Sequence, residues 1–201
     1  VWDGDLLEGR TLGIIGYGRI GKAVAHRARA FGMNIVHHGR SPSDEPGYRS
    51  LDTLLQEADY VSLHVPLTPE TRGLMNRMRF GQMKRGAYFL NMARGKTTVE
   101  ADLVTALECG HLAGAALDVF EDEPKVHPKL LAMPNVVLAP HIGGGTHQSR
   151  QAARCLAVEN VARVLRGEAP ITPINLPMLA ASTPPTNPAS RALREKIYPP
   201  T

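Results

Sequence analysis

The sequence predicts an α/β domain built on a doubly wound parallel sheet, and two observations carry that prediction. Short apolar runs alternate with stretches of helical spacing from Thr11 to Leu165. Strands separated by helices need crossovers, so they pair in parallel and both faces of the sheet are covered. The second observation is a Gly-x-Gly-x-x-Gly, Gly16 to Gly21, standing between the first predicted strand and the first predicted helix.

The elements follow in order. Thr11 to Ile15 is a short, mostly apolar strand followed by glycine. Arg19 to Phe31 has helical spacing, with Ile20, Val24, Ala28 and Phe31 on one face. Asn34 to His37 reads as the second strand. Ser50 can cap a helix that runs through Gln56. Tyr60 to Val65 is the third strand, stopped by Pro66. Arg77 to Lys84 is helical, and Ala87 to Asn91 is the fourth strand. Val99 to Cys109 is a helix closed by Gly110 just past its end. Leu112 to Val119 and Val136 to Ala139 are two further apolar runs. A long terminal helix covers 146–167, running from Thr146 to Leu165 and stopped by Gly167 and Pro170. No internal repeat is present.

Composition narrows the function classes. The chain has 201 residues, 43% hydrophobic and 21% charged, which is ordinary globular usage and excludes a collagen-like or coiled-coil protein. No apolar run approaches the ~18 residues of a membrane span. The opening residues carry neither a basic nor an apolar signal region. The chain starts at Val1 rather than Met, which reads as a fragment or a processed piece. Cys109 and Cys155 form no metal or redox spacing, so a reducing, intracellular compartment is expected, with cytoplasm as the default. The net charge of +4 is modest. The basic stretch from Arg72 to Arg85 contains no acid and reads as a solvated helix face. Aromatic platforms and recognition motifs are lacking, so neither nucleic acid nor membrane is expected as a partner. Half of the 16 prolines lie from Pro170 onward. Residues 1–176 therefore read as the dinucleotide domain. Residues 177–201 read as a Pro/Ala/Ser/Thr-rich mobile tail with a helical turn near Arg191 to Ile197.

The glycine motif has the context its mechanism needs. Gly16 permits a tight turn, Gly18 lets backbone approach a pyrophosphate, and Gly21 lets helix and strand pack closely. Arg19 and Ile20 open the helix, whose N-terminal N–H groups and positive dipole end suit phosphates. The end of the second strand then separates the two nicotinamide dinucleotides. An NAD site usually places Asp or Glu there; this chain reads Val36-His37-His38-Gly39-Arg40-Ser41. Arg40 can pair with a 2′-phosphate and Ser41 can add a hydrogen bond, so NADP(H) is favoured and NAD(H) remains an alternative. His37 and His38 point to opposite faces of a strand, and no metal site is expected.

Five blocks then carry a family resemblance. They are Leu12 to Gly21, His64 to Thr71, Asn91-Met92-Ala93-Arg94-Gly95, Leu117 to Pro124, and Pro140-His141-Ile142-Gly143-Gly144. In this order the chain resembles the D-isomer-specific 2-hydroxyacid dehydrogenases from Val1 to Asn175. The Gly39-Arg40-Ser41 turn and the run from His141 to His147 look most like the glyoxylate and hydroxypyruvate reductases. The resemblance implies a Rossmann-like fold and reduction of a small 2-oxo acid to the D-2-hydroxy acid. Three residues match the family's catalytic positions. Arg94 would grip the substrate carboxylate with its planar fork and reach the carbonyl oxygen. His141 would be the general acid in reduction and the base in oxidation. Glu123 would bond the other imidazole nitrogen and fix its tautomer. By the same resemblance, Asp118 would bond the nicotinamide carboxamide, and Val65, Pro66 and Thr71 would line the adenosine side. Met92, Ala93 and Gly143 would pass near the nicotinamide. His64, His111, His127 and His147 receive no role beyond packing, capping or solvation.

The family builds its substrate domain mostly from an N-terminal segment, and the resemblance implies that this domain is missing here. An isolated chain of this kind would bind cofactor with little turnover, because closure and water exclusion depend on the second lobe. Trp2 and the long helix from Thr146 would then be left exposed. Two rival readings stay open: a cofactor-binding fragment without activity, and a dinucleotide-sensing corepressor of the kind some relatives are. Family members commonly dimerise through this domain, which implies a homodimer, and the apolar stretch between Gly95 and Val119 is a candidate surface for it.

Overall fold

A computed structural model describes residues 4–174. The expectations for Trp2 and for the tail lie outside the described residues. Two compact units divide the chain, 1–143 and 144–201.

The first unit is a six-stranded sheet in the order β2-β1-β3-β4-β5-β6, every pairing parallel. Its strands are β1 (Thr11–Ile15), β2 (Asn34–His38), β3 (Tyr60–Leu63), β4 (Ala87–Asn91), β5 (Leu112–Leu117) and β6 (Val136–Leu138). Its helices are α1 (Arg19–Ala30), α2 (Leu51–Glu57), α3 (Arg77–Gln82), α4 (Glu100–Glu108) and α5 (Pro128–Ala132). A 3-10 turn, Gly95–Thr97, precedes α4. Because β1 lies between β2 and β3, the winding reverses there, and a crevice opens outside the carboxyl ends of the strands. The main core gathers Leu63, Phe89, Leu103, Leu112 and Leu117, and Phe80 packs edge-on to Phe89 at 5.2 Å. A second cluster under α1 holds Leu12, Ile14, Ala25, Ala28 and Met33.

Several boundaries and faces differ from the sequence reading, each for a local reason. In α1 the buried residues are Gly21, Ala25 and Ala28. Ile20 and Phe31 are 66% and 64% exposed, so they do not share the packed face with Ala28. The cause is close approach: a Cβ on Gly21 would strike the Gly16 carbonyl oxygen and come within 3.1 Å of Ile14. The small-residue stripe fits against the sheet, with Val24 half-buried beside it. The third strand ends at Leu63 rather than Val65. His64 N–H makes its last ladder bond, to Ile15 O at 2.7 Å. Beyond it the chain turns through Pro66 to Thr71, held by the Thr71 hydroxyl. The short helix α5 has no sequence forecast. Pro128 sits in its first turn, and His127 Nδ1 accepts from Lys129 N–H at 3.3 Å. The stretch from Gly95 to Val119 is no free apolar surface. Leu103, Val104, Leu107, Leu112, Ala115, Leu117 and Val119 are buried in this unit's own interior.

The second unit carries α6 (His147–Leu165). Thr146 caps it by accepting from Ser149 N–H at 3.1 Å. Asn160 Oδ1 accepts from Ile171 N–H at 2.7 Å, folding the following segment back on the helix. No residue of α6 is buried, and Val158, Val161 and Val164 are exposed. Among the described residues no helix is long and apolar enough to cross a membrane.

Candidate active site

Parallel pairing puts the carboxyl ends of all six strands on one edge, and every residue singled out in unit one follows one of those ends. After β1, Gly16 turns with φ +100°, and a Cβ on it would lie 2.6 Å from the carbonyl carbon of His64. Its N–H is tied to His38 O at 2.9 Å. Gly18 is different: a Cβ there would meet nothing within 4 Å. Helix α1 has no side chain capping its N-terminus, so its first-turn N–H groups face open space over Gly18. That combination fits a dinucleotide pyrophosphate. Arg19 and Ile20 are exposed beside it.

The loop after β2 is fastened to this turn. Tyr17 stacks on buried His37 with centroids 3.7 Å apart, and burial holds the His37 imidazole below its usual range. Lys22 sits 5.3 Å from the Tyr17 ring centroid and pairs with Glu45 at 3.0 Å. Arg40 and Ser41 are exposed on this loop, and no acid occupies the end of β2. After β3, Val65 is half-buried and Pro66 exposed. Thr71 donates its hydroxyl to Pro66 O at 2.6 Å and accepts from Thr68 N–H at 2.8 Å, which closes the turn.

The β4 end carries Arg94. Buried Asn91 organises it: its Nδ2 donates to Arg94 O at 3.2 Å and to Thr98 Oγ1 at 3.1 Å, while its Oδ1 accepts from Ala93 N–H at 3.0 Å. Arg94 is exposed, with Nη1 donating to Ala93 O at 2.6 Å. Met92 is 46% exposed, whereas the Ala93 side chain lies in the core. Ala93 can therefore meet a ligand only through its backbone.

Past β5, Asp118 is buried, and its two oxygens accept from Ile142 N–H and Gly143 N–H at 2.8 Å each. It thus fixes the turn after β6. There His141 takes φ +53°, the left-handed region that a residue with a Cβ enters only when its surroundings impose it. His141 Nδ1 meets Glu123 Oε2 at 2.8 Å. The hydrogen bond from His141 holds the Glu123 carboxyl below the usual carboxylate range. The other Glu123 oxygen accepts from Phe120 N–H at 3.1 Å. Arg94, Glu123 and His141 border one cavity of about 640 Å³, with Lys96, Phe120 and Lys125 also in its wall. All three sequence-predicted catalytic residues therefore share one cavity. The cofactor-side residues lie along the same edge but outside its lining. Sequence reading gave Asn91 no role and did not foresee Asp118's grip on residues 142 and 143. The Asp118 contacts span 24 and 25 residues and exist only in the folded sheet, whereas Asn91 bonds within seven residues of itself and shows its role only through its burial and geometry.

Comparisons with known proteins agree with the fold. The family profile "D-isomer specific 2-hydroxyacid dehydrogenase, NAD binding domain" matches residues 2–143. A glyoxylate reductase of Thermococcus litoralis is 42% identical over 184 residues, covering 89% of this chain and 56% of the relative. A D-3-phosphoglycerate dehydrogenase of Bacillus subtilis is 41% identical over 182 residues, covering 88% of this chain and 35% of the relative. Among solved structures, the TT0316 protein of Thermus thermophilus is 50% identical with a TM-score of 0.82, covering 87% of this chain and 58% of that one. An NADPH-dependent glyoxylate/hydroxypyruvate reductase of Sinorhizobium meliloti, in complex with NADP and malonate, is 39% identical with a TM-score of 0.78, covering 83% and 53%. The chain spans about half the length of the glyoxylate reductases it matches. By its sheet, its glycine turn and these matches, the chain belongs to the D-isomer-specific 2-hydroxyacid dehydrogenases, through their NAD-binding domain.

Proposed function

We propose that this chain is the cofactor-binding and acid–base half of an NADP(H)-dependent reductase that converts a small 2-oxo acid, glyoxylate or hydroxypyruvate, to the D-2-hydroxy acid. The observation that carries the reading is the 2.8 Å contact between His141 and Glu123, on a cavity shared with Arg94. Glu123 holds Nδ1, which leaves Nε2 to present a proton to an oxygen in the cavity. Arg94 offers a planar, permanently charged fork that can hold a carboxylate and polarise the adjacent carbonyl. A positioned acid of this type contributes about 10² to 10⁴ in rate.

Gly16, Gly18 and Gly21 with the first-turn N–H groups of α1 would hold the dinucleotide's pyrophosphate. Val65, Pro66 and Thr71 would line its adenosine side, with Met92, the backbone of Ala93, Asp118 and Gly143 toward the nicotinamide. When bound, the cofactor supplies the hydride. Exposed Arg40 and Ser41, with no acid at the end of β2, support a 2′-phosphate. NAD(H) is the alternative, and the relative in complex with NADP favours the first choice. Alone, the chain would bind cofactor and turn over little; a homodimer is the proposed assembly. Calorimetric titration with NADPH and with NADH, side by side, tests the site. Tighter NADPH binding supports the reading, tighter NADH overturns the cofactor preference, and binding of neither removes the site from this chain.

A further inference from the structure

One cluster beyond the residues assigned above joins the start of α4 to the loop after β5. Glu121 N–H donates to Glu100 Oε1 at 2.7 Å, and Glu100 N–H donates to Glu121 Oε2 at 3.2 Å. Each residue's carboxylate holds the other's backbone. An acid in the first turn of a helix ordinarily serves that helix's own N-terminal dipole. Glu100 instead turns its carboxylate to a loop 21 residues away, and it is buried there. Burying a carboxyl is expensive unless it is hydrogen-bonded, so the contact has a directional purpose that apolar packing would not serve.

The same loop meets that segment at a second point. A Cβ on Gly95 would run into the Phe120 carbonyl and lie 2.6 Å from Glu121 N. Phe120 and Glu121 thus touch Gly95 and Glu100, both on the segment that begins at Arg94. Phe120 N–H in turn holds Glu123 Oε1, and the remaining Glu123 oxygen meets His141. We propose that Glu100 is a positioning residue, which by holding Glu121 N–H fixes the loop that aims Glu123 at His141 and ties that pair to the segment carrying Arg94. The proposal rests on the catalytic reading of these three residues, but its geometry is measurable without catalysis.

The test compares Glu100→Ala with Glu100→Gln in the isotopically labelled chain by NMR. A glutamine oxygen can still accept from Glu121 N–H; alanine cannot. Two signals are read: the Glu123 side-chain carboxyl carbon against pH, and the His141 Nδ1–H resonance. Glu100→Ala is expected to move the Glu123 titration up toward the ordinary carboxylate range and to lose the hydrogen-bonded Nδ1–H signal. Glu100→Gln is expected to keep both as in the parent. A merely stabilising Glu100 would lower the unfolding temperature and leave both signals unmoved, which overturns the proposal. Equal disturbance by both variants overturns it too, because the acceptor would not be what matters. If Glu100→Ala does not fold, Glu100→Met, which fills the buried space but offers no oxygen to Glu121 N–H, takes its place and is expected to move both signals; unmoved signals sink the idea. Loss of dinucleotide binding, read separately by calorimetry, would count against the reductase reading and not against this one.

Discussion

Substituting Gly18 by alanine separates a glycine kept for a ligand from a glycine kept for the fold. A Cβ at Gly18 meets no protein atom within 4 Å, and the residue sits at φ −82°, ψ −161°, which alanine adopts freely. Removing a glycine from the unfolded chain stabilises by about 0.4 to 1 kcal/mol. Gly18 is also the N-cap of α1, where alanine is disfavoured by about 0.5 to 1 kcal/mol. The two effects nearly cancel, so the melting temperature should move by no more than ~2 °C. Dinucleotide binding should behave otherwise. The new methyl fills the space over which the helix N-terminal N–H groups look, and affinity for NADPH and NADH should fall at least ~10-fold, about 1.4 kcal/mol. Gly16→Ala is the contrast. It combines φ +100° with a Cβ 2.6 Å from the β3 backbone, and should lose about 3 kcal/mol or more, or ~6 to 12 °C. Thermal unfolding and calorimetry on both variants decide. Unchanged affinity in Gly18→Ala would refute the pyrophosphate assignment; a large drop in its melting temperature would refute the claim of open space.

Three further outcomes are expected. Arg40→Ala should weaken NADPH by ~10- to 100-fold, the loss of a charge-assisted phosphate contact, and leave NADH nearly unchanged; calorimetry checks this, and equal losses remove the 2′-phosphate role. In a protein that spans the full length of the relatives, His141→Ala should lower glyoxylate reduction by about 10² to 10⁴ while cofactor affinity persists, as followed by NADPH absorbance and a separate binding titration. The Glu123 carboxyl is held below its usual range, mainly by the hydrogen bond from His141. A depressed folded-state value means that its contribution is present above the unfolded carboxylate value and is lost as pH falls through the folded one. The contact should therefore survive across neutral pH and fail only in acid, and a carboxyl carbon titration that breaks it at or above the ordinary carboxylate range would contradict this.

Much of the sheet is legible in the sequence because its signals are local. Pro66, Gly110 and the Ser50 cap punctuate apolar runs, and β1 and β4 fall where the runs predict them. What is not local is lost. Ile20 and Phe31 look like core by hydrophobicity, yet packing distance decides the face of α1, and Gly21 brings the backbones too close for large side chains. Helix α5, five residues long, offers less than two turns of periodicity. Arg94, Glu123 and His141 enter through the family blocks rather than through spacing, since nothing in a linear pattern says that the loops after β4, β5 and β6 meet. Glu100 is the sharpest case: an acid in a first turn has an adequate local explanation, and only the folded chain shows the other one.

The three loops that meet at the cavity need more than a common sheet edge to hold one geometry. Apolar burial is non-directional and fixes strands better than it aims side chains. Loops are also the part of a fold that opens most readily. Here each loop is fastened by a buried polar group standing at its root or on its flank: Asn91 under Arg94, Asp118 under the turn of His141, and Glu100 beside the loop of Glu123. Such groups add little net stability when satisfied and cost about 1 to 3 kcal/mol for each partner left unpaired. Their energetic effect is therefore steep against displacement and shallow otherwise. That is the profile needed to hold His141 in a left-handed backbone, where relaxation to ordinary φ would turn its ring away from Glu123. An interior of leucine at these three positions would keep the sheet and lose the aim.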